Sequence, residues 1–197
     1  MPTSRLEAFS DGVLAILITI MVLELHEPDG ADLHALVEVG GGLLTYALSF
    51  VYIGIYWNNH HHTFHLVQQV DGALLWANNA LLFCLSLLPF STAWMDEEHY
   101  ARVPTMVYGV VLLLAAVAYF VMVAAIYRVP GNGSELRQAL GADRKGKASP
   151  VLYVTGILLC LVNPYLGLAV YTAVAVMWLL PDRRVERYLA GRTVRGQ

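Results

Sequence analysis

Apolar residues run through this chain in blocks, and the polar residues collect between the blocks instead of alternating with them. A half-buried strand would alternate with period two, and a surface helix would show one apolar stripe. Near-continuous blocks of about 20 residues, enough to cross ~30 Å of hydrocarbon, read as membrane helices. Six can be drawn, roughly at 6–25, 43–64, 73–95, 104–127, 150–163 and 164–180. Asn163-Pro164 divides the last two, which would be too long as one span. Trp76 and Trp94 bracket the third block about 27 Å apart along a helix, a separation that suits two interfacial anchors. The pattern predicts an all-α, polytopic membrane protein with six transmembrane helices in a single domain, 1–197. The polar stretch 128–149 is expected to be a flexible linker between four spans and two, with a short helix around Glu135–Leu140.

Composition and charge sharpen this picture. Of the 197 residues, 57% are hydrophobic and 14% charged, against roughly 25% charged in soluble domains. Eleven of the 12 Lys and Arg residues fall at the N-terminus (Arg5), in the 128–149 linker or in the C-terminal tail; Arg102 alone lies on the other side of an even-numbered topology. That other side instead holds Glu24, Glu27, Asp29, Asp32, Glu38 and Asp96 to Glu98. The positive-inside rule then places both termini in the cytoplasm, because five spans would expel the arginine-rich tail. The first block lacks a basic leader and a cleavage site, so it reads as a retained span. Cys84 and Cys160 read as small buried hydrophobes.

One block breaks the apolar rule. Ser10 and Asp11 sit inside the first span, and a carboxylate at membrane depth costs at least ~2.5 kcal/mol unless something pairs with it. With the first span running outward and the second inward, Asp11 comes level with Trp57, His60 and His61, and with Asn78 near the start of the third. A shared hydrogen-bonded network is the cheapest arrangement for such groups. It serves either to lock three helices together or to sense protons or cations through His60 or His61, whose unperturbed pKa is near 6.5. His61 and His65, one turn apart, would suit a two-imidazole metal grip. No third ligand stands at a recognisable spacing, so no metal or cofactor is assigned.

At 100° per residue, Thr19, Ile20 and Leu23 lie within about 60° of Ile16, whereas Ser10 and Asp11 lie about 120° and 140° away. The polar motif and the Ile/Thr/Leu stripe therefore face different neighbours. Ordinary packing would account for the aliphatic residues, and a bond to its own backbone would account for Thr19. Arg5 is close in angle to the stripe. It cannot readily pair with Asp11, and is expected to meet a carboxylate of another helix or subunit.

The run Arg5-x-x-x-Phe9-Ser10-Asp11-Gly12, followed by the Ala15-to-Leu25 stretch, resembles the first-helix signature of the transmembrane-protein-175 family of cation channels. Trp57-x-x-His60-His61-x-x-Phe64 and the Leu74-to-Phe90 run, with LSLLPF at its end, resemble its second and third helices. The resemblance covers roughly residues 5–95 and implies four chains around one pore lined by the first helix, without a carbonyl-lined filter. It further implies a narrow aliphatic ring at Ile16, further apolar rings at Ile20 and Leu23, and a selectivity-related hydroxyl layer at Thr19. Arg5, Phe9, Ser10, Asp11, Trp57, His60, His61 and Asn78 would form the motif and its interhelical network.

The expectation is a homotetrameric, potassium-preferring leak channel in a prokaryotic plasma membrane, with lipid and permeating potassium as partners and no nucleic acid. Its rival is a proton channel or proton-coupled transporter using Asp11 and the His60/His61 cluster. A membrane enzyme is disfavoured because no nucleophile–base pair or complete ligand set is present.

Overall fold

Asp11 and its neighbours belong to α1 (Thr3–Leu23), whose buried residues are Leu6, Ser10, Leu14, Leu17 and Met21. Steps of three and four keep these on one helical face, and everything opposite is left outside the chain's own packing. In the computed structural model, residues 3–129 and 143–179 are described, and every regular element among them is helical. After α1 come the short α2 (Leu33–Glu38), the long α3 (Gly40–Phe64), α4 (Gly72–Ser86), α5 (Leu88–Glu97), α6 (Arg102–Arg128), α7 (Arg144–Cys160) and α8 (Pro164–Leu179).

Three stretches are long and apolar enough to cross a membrane by length and composition: α1, the pair α4–α5 taken together as Gly72–Glu97, and α6. The α4–α5 pair is one span with a joint. Pro89 has no N–H for the next ladder bond, yet Leu87 stays in the right-handed region and bonds Cys84 O at 3.3 Å, so the helix bends there without stopping. α3 is equally long, but its last turns carry Asn58 to His62.

Side chains set several of the starts. Asp71 Oδ1 accepts from Leu74 N at 2.8 Å, capping α4, and Asp32 Oδ1 accepts from Ala35 N at 2.9 Å, capping α2. Asp143 Oδ1 accepts from Gly146 N at 3.0 Å, and α7 begins directly after it. Here the sequence reading needs correction, because residues 144–149, assigned to the linker, are the first turns of α7. The cap, together with the helix-tolerant Lys145, Lys147 and Ala148, outweighs their polarity. The proposed helix at Glu135–Leu140 and the C-terminal arginines lie outside the described residues.

α6 is the hub, packing on α4 and α5 on one side and on α7 and α8 on the other, while α1 lies across α3, α4 and α5. Close approach of α6, α7 and α8 depends on three glycines. A Cβ at Gly109 would overlap the Tyr171 hydroxyl, one at Gly156 the Tyr171 ring, and one at Gly167 the Cys160 sulfur. Small residues at such crossings are the usual means by which membrane helices approach.

A seam of hydroxyls runs along the buried face of α3. Thr45 Oγ1 meets Tyr100 Oη at 2.9 Å, and Ser49 Oγ meets Thr92 Oγ1 at 2.8 Å and Tyr108 Oη at 3.0 Å. Farther along, Tyr52 Oη donates to Tyr171 O at 2.6 Å, and Thr63 Oγ1 meets Tyr119 Oη at 2.8 Å. These bonds tie α3 to the segment after α5, to α5, to α6 twice and to α8, and no buried side-chain N or O is left unpartnered among the described residues.

Candidate functional site

The residues singled out in α1 divide by face. Ser10 is completely buried, and its hydroxyl donates to Leu6 O at 2.9 Å while accepting from Asn78 Nδ2 at 3.0 Å. Asn78, fully buried on α4, uses its other end as well, since Oδ1 accepts from His60 Nε2 at 2.8 Å. With Oδ1 as the acceptor, Nε2 of His60 is the nitrogen that carries the donated proton. The His60 ring is buried and stacks on Phe64 with centroids 4.3 Å apart. Three helices therefore meet through one serine, one amide and one imidazole, each with its hydrogen bonds made inside the protein.

Asp11 takes no part in that cluster. It lies exposed on the neighbouring side of α1 and accepts from Trp57 Nε1 of α3 at 2.9 Å. Trp57 continues into an aromatic column along the outside of α3, with His61 stacked at 6.0 Å and His65 stacked on His61 at 5.3 Å. The sequence reading grouped carboxylate, indole, imidazole and amide into one network; the structure resolves two, a buried Ser10–Asn78–His60 triad and an exposed Asp11–Trp57–His61 edge. The reason is angular. Ser10 and Asp11 diverge by about 100° and cannot face the same groove.

On the remaining side of α1, Ile16 is 57% exposed, Ile20 39% and Leu23 79%, while Thr19 is also exposed. The Thr19 hydroxyl donates to Ile16 O at 2.8 Å, so its proton is engaged by its own helix while its lone pairs point outward. Ile20 borders a groove of about 620 Å³ between α1 and the α4–α5 joint, whose outer end carries the carboxylates Glu24 and Glu97. Phe9 is 57% exposed. Arg5 is exposed too and pairs with no carboxylate of a described residue, so a partner on another helix of the same chain is not found among them.

This arrangement has a definite chemical capacity. One face of α1 is anchored through polar groups that are already satisfied. The opposite face offers aliphatic side chains and one hydroxyl layer to whatever lies beyond the chain. Neither site holds a nucleophile next to a base, and no group of three or more metal-ligating side chains forms among the described residues. The hydroxyl seam of α3 escaped the sequence reading. Its signal is present, because Thr45, Ser49, Tyr52 and Tyr56 recur at helical spacing inside an apolar block.

Residues 5–89 match the family model described as endosomal/lysosomal potassium channel TMEM175. A potassium channel of Chryseobacterium sp. (strain P1-3) is 47% identical over 189 residues, spanning 96% of this chain and 98% of that one. The endosomal/lysosomal proton channel TMEM175 of Homo sapiens is 34% identical over 112 residues, which is 51% of this chain but 22% of the human protein. Among solved structures, a lysosomal potassium-selective channel TMEM175 homolog from Chamaesiphon minutus superposes with a TM-score of 0.79 at 30% identity, covering 90% of this chain and 96% of that one.

Proposed function

The chain belongs to the TMEM175 family, and from that premise we propose that it is a potassium-preferring cation leak channel whose pore is lined by the exposed stripe of α1. As a member of that family it is an ion channel of a membrane and not an enzyme. In the proposed assembly, four chains with six spans each and cytoplasmic termini surround a central axis in a prokaryotic plasma membrane. Ile16 forms the narrowest ring, Ile20 and Leu23 add apolar layers, and the Thr19 oxygens form the layer that favours potassium.

The observation that carries this reading is the split of α1. Its polar motif is consumed by α3 and α4, while the Ile16–Thr19–Ile20–Leu23 face is left exposed, with only Ile20 bordering another element. A lone apolar helix face would equally suit lipid; a hydroxyl layer at the same angle as three aliphatic rings, on a chain of this family, favours an axis shared by several copies. An aliphatic ring that narrow is costly to hydrate, so its barrier to ions is desolvation, and dewetting closes it. Arg5 finds its carboxylate across a subunit boundary in this arrangement.

Purified protein in proteoliposomes tests the proposal directly. Potassium flux should exceed sodium flux, Ile16→Asn should raise both, and Thr19→Ala should narrow the difference between them. Unchanged flux in Ile16→Asn together with unchanged ion preference in Thr19→Ala would remove α1 from the pore.

The name of the human relative gives proton conduction a second reading. It draws on Asp11, exposed on α1 and held by a single indole N–H, while His60 is sealed in the triad. Proton flux that disappears in Asp11→Asn, with assembly intact, would favour it.

A further inference from the structure

We propose that His61 and His65 form an open, two-imidazole site for a first-row divalent metal ion on the outer face of the last turn of α3. Their spacing alone was too weak a signal for this; the ring geometry adds what spacing could not. Residues four apart on a helix project from the same face, one turn above the other, and paired histidines at this spacing grip zinc in helical metal sites. Here both rings are exposed and stack with centroids 5.3 Å apart and planes 29° apart.

A tetrahedral ion with metal–nitrogen bonds of about 2.0–2.1 Å holds its two nitrogens roughly 3.4 Å apart and the ring centres behind them roughly 5 Å apart. The observed separation matches that span, and turning the two imidazoles about χ2 brings a nitrogen edge of each toward a shared ion. Trp57 is stacked on His61 at 6.0 Å and limits how far that ring can swing away from α3. No hydrogen bond to another described residue occupies a ring nitrogen of either histidine. The buried His60, by contrast, has its Nε2 committed to Asn78.

The donor set decides the class of ligand. Two neutral imidazoles without a thiolate or carboxylate suit borderline ions such as zinc, nickel or copper, and do not suit calcium or magnesium, which require oxygen. With only two protein ligands, water completes the coordination, so the ion exchanges and is not a structural support. Occupancy stiffens the Trp57–His61–His65 column, whose first member holds Asp11 of α1. The site is read from α3 alone and stands independently of the channel reading.

Nickel titrated calorimetrically into the untagged full-length protein in detergent tests this. One ion per chain is expected. His61→Ala and His65→Ala should each weaken binding by more than the roughly tenfold that a lost outer-sphere partner costs. His62→Ala should leave it unchanged, since consecutive helical residues diverge by about 100°. A second measurement needs no variant: nickel should protect His61 and His65 together from diethylpyrocarbonate, read by mass spectrometry, and leave His62 reactive. Equal affinity in the wild type and the His61/His65 double variant, an equal loss in His62→Ala, or protection that does not distinguish the three histidines would overturn the site.

Discussion

Asn78 is the residue whose loss should expose the logic of the buried triad most sharply. It is fully buried and bridges Ser10 on α1 to His60 on α3 through bonds of 3.0 and 2.8 Å. Replacing it with Leu removes both bonds at nearly constant volume. Ser10 keeps a partner, because its hydroxyl already donates to Leu6 O. His60 does not, and an Nε2–H left unsatisfied in the interior costs about 1–3 kcal/mol. A further ~1 kcal/mol for the lost bond to Ser10 brings Asn78→Leu to roughly 2–4 kcal/mol. His60→Phe alone should cost less, since it strands only an amide oxygen and its ring can keep the stack on Phe64. The double variant leaves an apolar contact where the polar bridge stood, and removing both partners of a bond can be nearly neutral. Its cost should therefore fall short of the summed single costs by about 1–3 kcal/mol. Thermal unfolding of the purified assembly in detergent, followed by tryptophan emission and by size-exclusion profile, supplies the three differences. Strict additivity would sink the argument, because it would mean that Asn78 and His60 contribute separately and the triad is not a unit.

The other expectations are independent of that cycle. Trp57→Phe keeps the aromatic column but removes the donor to an exposed carboxylate, so it should cost no more than about 1 kcal/mol in the same melt; a larger loss would mean that the edge is buried in the assembly. Gly109→Ala should be among the most disruptive single changes, because its methyl group would occupy the space of the Tyr171 hydroxyl and part α6 from α8; normal yield and melting would contradict the close packing. If the proposed tetramer forms, Arg5→Ala should lower the tetramer-to-monomer ratio in cross-linking without altering helix content; a native ratio would show that its partner is unimportant to assembly. Asp143→Ala removes the cap on Gly146 N and should destabilise the start of α7 by about 0.5–2 kcal/mol, read as faster amide exchange over 144–149.

How much of this was legible from residues alone depends on the kind of signal each feature leaves. Helix identity and rough position followed from block length, since hydrocarbon thickness leaves few alternatives. The beginning of α7 did not, because a polar helical turn outside an apolar block looks like a loop until its cap is seen. Ser10, His60 and Asn78 could be placed at one depth by counting residues, but depth says nothing about azimuth. Azimuth is what sent Asp11 to Trp57 and kept it out of the triad. The glycine contacts with Tyr171 and Cys160 were equally invisible, since Gly109, Gly156 and Gly167 come from three helices whose crossing points no periodicity reveals.

In the proposed channel, angular division lets one helix serve as both anchor and lining. A pore-facing residue must tolerate ions and changes in hydration, while an anchor must hold one geometry. On α1 these demands never fall on the same side chain: Leu6, Ser10, Leu14, Leu17 and Met21 form the inward face, and Ile16, Thr19, Ile20 and Leu23 lie outside it. Substitutions on the outer face should then alter permeation with little effect on folding, and substitutions on the inner face should do the reverse. Asp11 stands between the two sets, exposed like the first yet hydrogen-bonded to α3 like the second. It is the position where a change in the α3 column can reach the outer face without passing through the core. Asp11→Asn keeps an oxygen for the Trp57 indole but removes the charge, whereas Asp11→Ala removes both. If the contact positions α1, flux should change in Asp11→Ala and hold in Asp11→Asn. An equal change in both would assign the effect to charge, and with it to the proton reading.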